Sequence, residues 1–111
     1  MSDPGGEVVM ILTSLPDLAA ARKLAKLLVT QRLAACVNVL APCSSVYRWQ
    51  DRIETATEVP MVIKTVVSRY SGVEAAIRAN HPYELPEIIS VPVVAGLGEY
   101  LGWVNDETTI E

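Results

Sequence analysis

The run Ala35-Cys36-Val37-Asn38-Val39-Leu40-Ala41-Pro42-Cys43-Ser44-Ser45-Val46-Tyr47-Arg48-Trp49-Gln50-Asp51-Arg52-Ile53-Glu54-Thr55-Ala56-Thr57-Glu58-Val59-Pro60-Met61-Val62-Ile63-Lys64-Thr65-Val66-Val67 settles the fold. Val, Ile, Thr and aromatic residues crowd both sides of the polar pair Gln50-Asp51, the pattern of two long antiparallel strands joined by a tight turn. Pro42 and Pro60 cannot donate to a ladder, so each belongs at a bulge or an unpaired edge. A direct hairpin this long also argues against an open parallel sheet, which needs crossover connections.

Outward from the hairpin, residues 8–12 form a continuous apolar run, the mark of a strand buried on both faces, and Ser14-Leu15-Pro16-Asp17 reads as the loop that closes it. Asp17 is a good N-cap for an amphipathic helix in which Ala21, Leu24, Ala25 and Leu28 recur at helical spacing, ending near Arg32. Residues 71–80 carry Val73, Ala76 and Ile77 on one stripe and predict a second helix that stops before Pro82. Residues 87–94 predict a last strand, and 99–104 a short helix. The order βαββαβ, with that short C-terminal helix, makes an α+β ferredoxin-like sandwich with both main helices on one sheet face. The chain has 111 residues, of which 50% are hydrophobic, so one domain with one core is expected. Its limits fall at residues 8–105, after a flexible segment 1–7 and before a polar tail 106–111.

The hairpin also bears on assembly. Residues 35–49, unbroken at about 3.3 Å each, would reach roughly 50 Å. A globule of this length has a gyration radius near 13 Å and a diameter of about 34 Å. The hairpin tip therefore overhangs its core, and an arm carrying Val46, Tyr47, Trp49 and Ile53 exposes apolar surface and strand edges that a monomer avoids. A homo-oligomer, with the arm paired to a neighbour, is the expectation. The formal charge of -4, with dispersed basic residues, excludes duplex nucleic acid as an expected partner. The acidic start and the five-residue apolar run fit neither a signal peptide nor a membrane span. Cys36 and Cys43 match no zinc knuckle or redox pair, which favours a reduced, cytoplasmic setting.

Few residues could carry chemistry. His81, the one histidine, lies in Asn80-His81-Pro82-Tyr83-Glu84-Leu85-Pro86-Glu87, a loop stiffened by two prolines. It serves either as a cap on the preceding helix or as a ligand, with Glu87 and Glu84 as partners, for a first-row divalent ion. Lys64 interrupts an otherwise apolar strand; it either snorkels to an edge or meets a carboxylate such as Glu87, or an anionic ligand. Tyr47, Trp49, Tyr83, Tyr100 and Trp103 all have polar handles, which suit interfaces and ligand rims as well as the core. Cys36 reads as a small packed hydrophobe. No GxGxxG, Walker loop, GxSxG or HExxH is present, and nothing in the spacing supports a hydrolase triad.

Four ordered segments carry a resemblance: Leu33-Ala34-Ala35-Cys36-Val37-Asn38, Val46-Tyr47-Arg48-Trp49-Gln50-Asp51-Arg52-Ile53-Glu54, Glu58-Val59-Pro60-Met61-Val62-Ile63-Lys64-Thr65 and His81-Pro82-Tyr83-Glu84-Leu85-Pro86-Glu87. Together they resemble the CutA divalent-cation tolerance proteins over residues 8–105. The resemblance implies a ferredoxin-like subunit in a PII-like homotrimer, a cytoplasmic role in copper tolerance, and no enzymatic activity. It also implies an inter-subunit cleft at Trp49, Lys64 and Tyr83, with Tyr47 and Trp103 added as aromatic neighbours, and His81 with Glu87 as metal ligands. Three departures stand out. Thr13 or Ser14 replaces a cysteine found in some members, which removes the soft thiolate that tight Cu(I) binding needs. Asp51 stands where a tip glycine is usual, and Pro60 replaces a residue that could donate. The expectation is a trimer that binds a divalent ion, Cu(II) weakly. The alternatives are a PII-like sensor in which Lys64 and the aromatics hold a small anionic ligand or a partner's loop, and a scaffold whose buried polar cluster fixes the trimer register.

Overall fold

The computed structural model describes residues 7–110, so the flexible segment expected at 1–7 lies almost wholly outside the described residues. The order is β1 (Val8–Leu15), α1 (Leu18–Thr30), β2 (Cys36–Val39), β3 (Cys43–Trp49), β4 (Arg52–Val66), α2 (Tyr70–Asn80), β5 (Ile89–Pro92) and α3 (Gly98–Glu107). Antiparallel pairing gives the sheet order β2-β4-β1-β5, with β3 on the outer half of β4. This is the expected βαββαβ sandwich with its C-terminal helix.

The core lies between one sheet face and the helices α1 and α2. Ile11, Leu15, Met61 and Ile63 from the sheet meet Leu24, Leu28, Val73 and Ile77 from the helices, all enclosed. Each such side chain contributes about 1.5–3 kcal/mol on leaving water. Helix α1 starts where the Asp17 carboxylate accepts the Ala20 N–H at 2.8 Å. It stops in a Schellman turn: Leu33 N–H donates to the Leu28 carbonyl and Arg32 N–H to that of Val29, with Arg32 at φ 58.

Strand β1 outlasts the expected run and continues to Leu15. Thr13 and Leu15 alternate inward with Ser14 outward, so the segment read as a loop is the last turn of a period-two pattern. The hairpin turns at Gln50 and Asp51, with φ of 51 and 64, a type I′ geometry without glycine. Both prolines sit where foreseen. Residues 40–42 oppose only Val59 and Pro60, a bulge between β2 and β3, and the Pro60 carbonyl accepts the Leu40 N–H there. The nitrogen of Pro60 faces the same interrupted ladder, so no bond is lost.

The arm does overhang. The molecule measures 49 × 26 × 23 Å with a gyration radius of 14.7 Å, and Val46 and Ile53 on the arm are 67% and 64% exposed. The second sheet face is covered only at one end, where Val104 of α3 packs on Val8, Ala35 and Val66. Beyond it Met10, Leu12, Val62 and Lys64 are half-buried with no layer above them, and Ile89 is exposed. Helix α3 runs further than expected. Asp106 and Glu107 complete it and Thr108 is buried, so the polar tail begins later than 106. Arg32 binds the Glu107 carbonyl at 3.2 Å and Arg69 that of Thr108 at 2.8 Å, cations at a helix C-terminus where its dipole favours them.

Candidate functional site

A cleft of about 650 Å³ opens at the foot of the arm, between the uncovered end of the sheet and the loop after α2. Ser14 lines it from β1, residues 45–49 from β3, Glu58 from β4, and Tyr83, Glu84, Leu85 and Glu87 from the loop. Register explains the arm's contribution. Cys43 opposes Glu58, Ser45 opposes Ala56, Tyr47 opposes Glu54 and Trp49 opposes Arg52, so these residues share one face, whereas Arg48 is paired with Ile53 on the other.

The loop is held by His81. One ring nitrogen, Nε2, lies 2.6 Å from the Ser14 carbonyl and donates to it; the other, Nδ1, accepts the Tyr83 N–H at 3.1 Å. A carbonyl can only accept and an amide N–H only donate, so the ring is the neutral Nε2–H tautomer with both nitrogens engaged. Its ring packs on that of Tyr83 at 4.5 Å. The Tyr83 hydroxyl in turn bonds the Glu58 carboxylate; burial first, and then the charge and hydrogen bond of Glu58, push that hydroxyl above its ordinary range. A chain of contacts thus ties β1, the loop and the arm together through the His-Pro-Tyr motif.

Several expected site residues meet here and others do not. Tyr47, Trp49, Tyr83, Glu84 and Glu87 all line the cleft. Glu87 does so because the last strand begins at Ile89 rather than at 87, which leaves this carboxylate in the loop. His81 stands behind the cleft wall. As placed, both of its ring nitrogens are engaged by backbone groups. Lys64 is four residues along β4 from Pro60, on the uncovered sheet face, outside the cleft lining. Trp103 lies on α3, stacked on Tyr100 at 5.6 Å, and α3 packs at the Val8 end of β1, opposite the end where Ser14 meets the cleft. Thr13 points into the helix-covered core, whereas Ser14 faces the cleft.

Glu58 is the cleft residue that single-residue reasoning passes over. Counting pairs outward from the Gln50-Asp51 turn puts it in phase with Tyr47 and Trp49, and that count was available. Glu58, Glu84 and Glu87 line the cleft, and Arg48 borders it from a position that the register puts on the arm's other face. Among the described residues no three His, Cys, Asp or Glu side chains converge on one point that could hold a metal.

The comparisons with known proteins agree with this architecture. The chain matches the family described as "CutA1 divalent ion tolerance protein" over residues 9–107. The divalent-cation tolerance protein CutA of Thermus thermophilus is 37% identical over 99 residues, which span 89% of this chain and 96% of the relative. The crystal structure of CutA from Xylella fastidiosa superposes with a TM-score of 0.90 at 43% identity, covering 94% of this chain and 100% of that one. The periplasmic divalent cation tolerance protein CutA of Archaeoglobus fulgidus gives 0.89 at 35% identity, covering 92% and 99%. With this fold, this hairpin and this breadth of match, the chain belongs to the CutA1 divalent ion tolerance protein family.

Proposed function

We propose that the protein is a homotrimeric binder of divalent cations that acts by binding and not by catalysis, and that the cleft at the foot of the arm is where the cations collect. The observation that carries this reading is the sign of the cleft, which Glu58, Glu84 and Glu87 line. Glu84 and Glu87 are the ligands offered from the loop, and His81 fixes that loop without ligating. Because the carboxylates do not converge, affinity is weak. Cu(II) ranks first among the divalent first-row ions by the Irving–Williams order.

The trimer is supported by the uncovered face of Met10, Leu12, Val62 and Ile89 and by the overhanging arm, which together leave more apolar surface open than a lone subunit tolerates. Lys64, on that face, reaches Glu87 only from a neighbouring subunit, where it competes with cations for that carboxylate; within the subunit β1 lies between β4 and the β5 that follows Glu87. Both cysteines are free, which fits the cytoplasm. No described helix is long and apolar enough to cross a membrane.

Calorimetric titration with Cu(II) tests the reading. Glu84→Gln with Glu87→Gln should remove most of the heat. His81→Ala should lower both copper uptake and thermal stability, because the loop loses its pin. Unchanged uptake in the double variant would refute the site.

A further inference from the structure

We infer that the loop after α2 is a two-state strap: the His81 ring holds it off the sheet by taking the place of the next rung between β1 and β5, and release of the ring lets β5 extend back to Glu87. The register carries this. Val93 N–H donates to the Val8 carbonyl at 3.1 Å, so these two form a hydrogen-bonded pair. Along this edge of β1 such pairs recur at every second residue, Met10 with Val91 and then Leu12 with Ile89. Pro92, opposite Val9, falls at a position between them, where no N–H is called for. One step further the same count sets Ser14 opposite Glu87. The strand stops short of that pair, at Ile89. The Ser14 carbonyl, aimed at this edge, instead accepts from His81 Nε2 at 2.6 Å.

Two arrangements therefore compete for one carbonyl. With the ring in place the loop has two hydrogen bonds, one from Nε2–H to Ser14 and one from the Tyr83 N–H to Nδ1. With the strand extended, Ser14 and Glu87 also have two, because the residues of a bonded antiparallel pair exchange both of theirs. Two against two leaves neither state far below the other. Little has to move in the core, since Ile88 already packs against it, and the same count sets Ile88 opposite Thr13, whose side chain is buried on that face. Ile88 is β-branched and suits the strand it would join. Extension carries Glu87 out of the cleft loop and onto the sheet beside Ser14, and it takes from Tyr83 and Glu84 the anchor that holds them in the cleft wall. The strap thus sets whether the cleft is walled, whatever occupies it, and does not rest on the cation reading.

Amide hydrogen exchange on isotope-labelled full-length protein, followed residue by residue by NMR, tests the strap. In the unaltered protein the Glu87 amide should exchange fast, as befits an exposed loop residue. In His81→Ala it should slow about tenfold, while the Ile11 amide, deep in β1, keeps its protection. His81→Gln, which retains a side-chain N–H donor, should leave Glu87 fast. If Glu87 exchanges as fast in His81→Ala as in the unaltered protein, the loop has only come loose and the proposal is overturned. Should His81→Ala fail to fold, the unaltered protein decides. Relaxation dispersion at Glu87 and Ile88 should reveal a minor state, on the order of 1%, exchanging in microseconds to milliseconds. Flat profiles at both residues would overturn the strap.

Discussion

Two threonines on the helix-covered face of the sheet invite the same substitution with opposite results. Thr65 is fully enclosed, and its hydroxyl donates to the Leu33 carbonyl at 2.6 Å. Thr13 is 2% exposed, and its Oγ1 has no hydrogen-bond partner. Valine replaces the hydroxyl with a methyl of nearly the same shape and keeps the β-branch that suits a strand, so neither change opens a cavity. At Thr65 the change removes a bond and leaves the Leu33 carbonyl short of a donor, a loss of about 1–3 kcal/mol. At Thr13 the hydroxyl already bears the cost of leaving water uncompensated, so its removal should stabilise the fold by about 1–2 kcal/mol. Each kcal/mol shifts Tm by about 4–8 °C in a domain near this size. Urea unfolding at one fixed protein concentration would read both variants, since assembly couples stability to concentration. The slope with urea should stay constant, showing that stability and not the unfolded state has changed. Destabilisation by Thr13→Val, or the same sign at both positions, would refute the reasoning.

Gln50→Asn with Asp51→Gly gives the type I′ turn its preferred residues and should stabilise the arm by about 1 kcal/mol per relieved left-handed residue, seen as higher Tm. Deletion of residues 47–53 should give monomer or aggregate by light scattering; an intact trimer would show that the arm does not join the subunits. Lys64→Met should cost several kcal/mol if Lys64 is buried against Glu87 of the partner subunit, with much recovered on adding Glu87→Gln; additive losses would show no contact. The Tyr70 hydroxyl, bonded to Glu74, and that of Tyr83, held by burial and by Glu58, are both shifted upward. Folding therefore disfavours their ionisation: their contribution is complete below about pH 10 and is lost as pH rises from there through the folded values. Tyr83→Phe should make the alkaline loss shallower, measured as Tm against pH.

What the sequence discloses divides along the line between local and distant causes. The hairpin is legible because its evidence is local: β-branched residues on both sides of a polar pair, and prolines that must fall at a break. Helix α1 is legible for the same reason, from its N-cap and its apolar stripe. The end of α3 is not. Asp106 and Glu107 look like a polar tail, and what holds them helical is Arg32, 75 residues away from Glu107, and Arg69, 39 residues from Thr108. Strand β1 ran past its expected end because Leu15 is buried by elements that a proline and an aspartate next door do not announce.

The same division explains the site. Residue type marks His81 as a metal ligand, since imidazole ligates, but what an imidazole does depends on which lone pairs remain free. Here the deciding partner is the carbonyl of Ser14, 67 residues away, which accepts a hydrogen bond from Nε2–H while Nδ1 accepts one from the Tyr83 amide. The histidine motif therefore works as a pin, and its consequence is electrostatic: by fixing the loop against β1 it holds Glu84 and Glu87 beside Glu58, while Lys64 stays on another part of the sheet. Sequence order alone puts Lys64 and the glutamates on equal terms, and the sign of the expected ligand is then undecided. The fold breaks that tie. Once the pin sets Glu84 and Glu87 beside Glu58, carboxylates outnumber cations around that space within one subunit, which is the ground on which the cation reading stands.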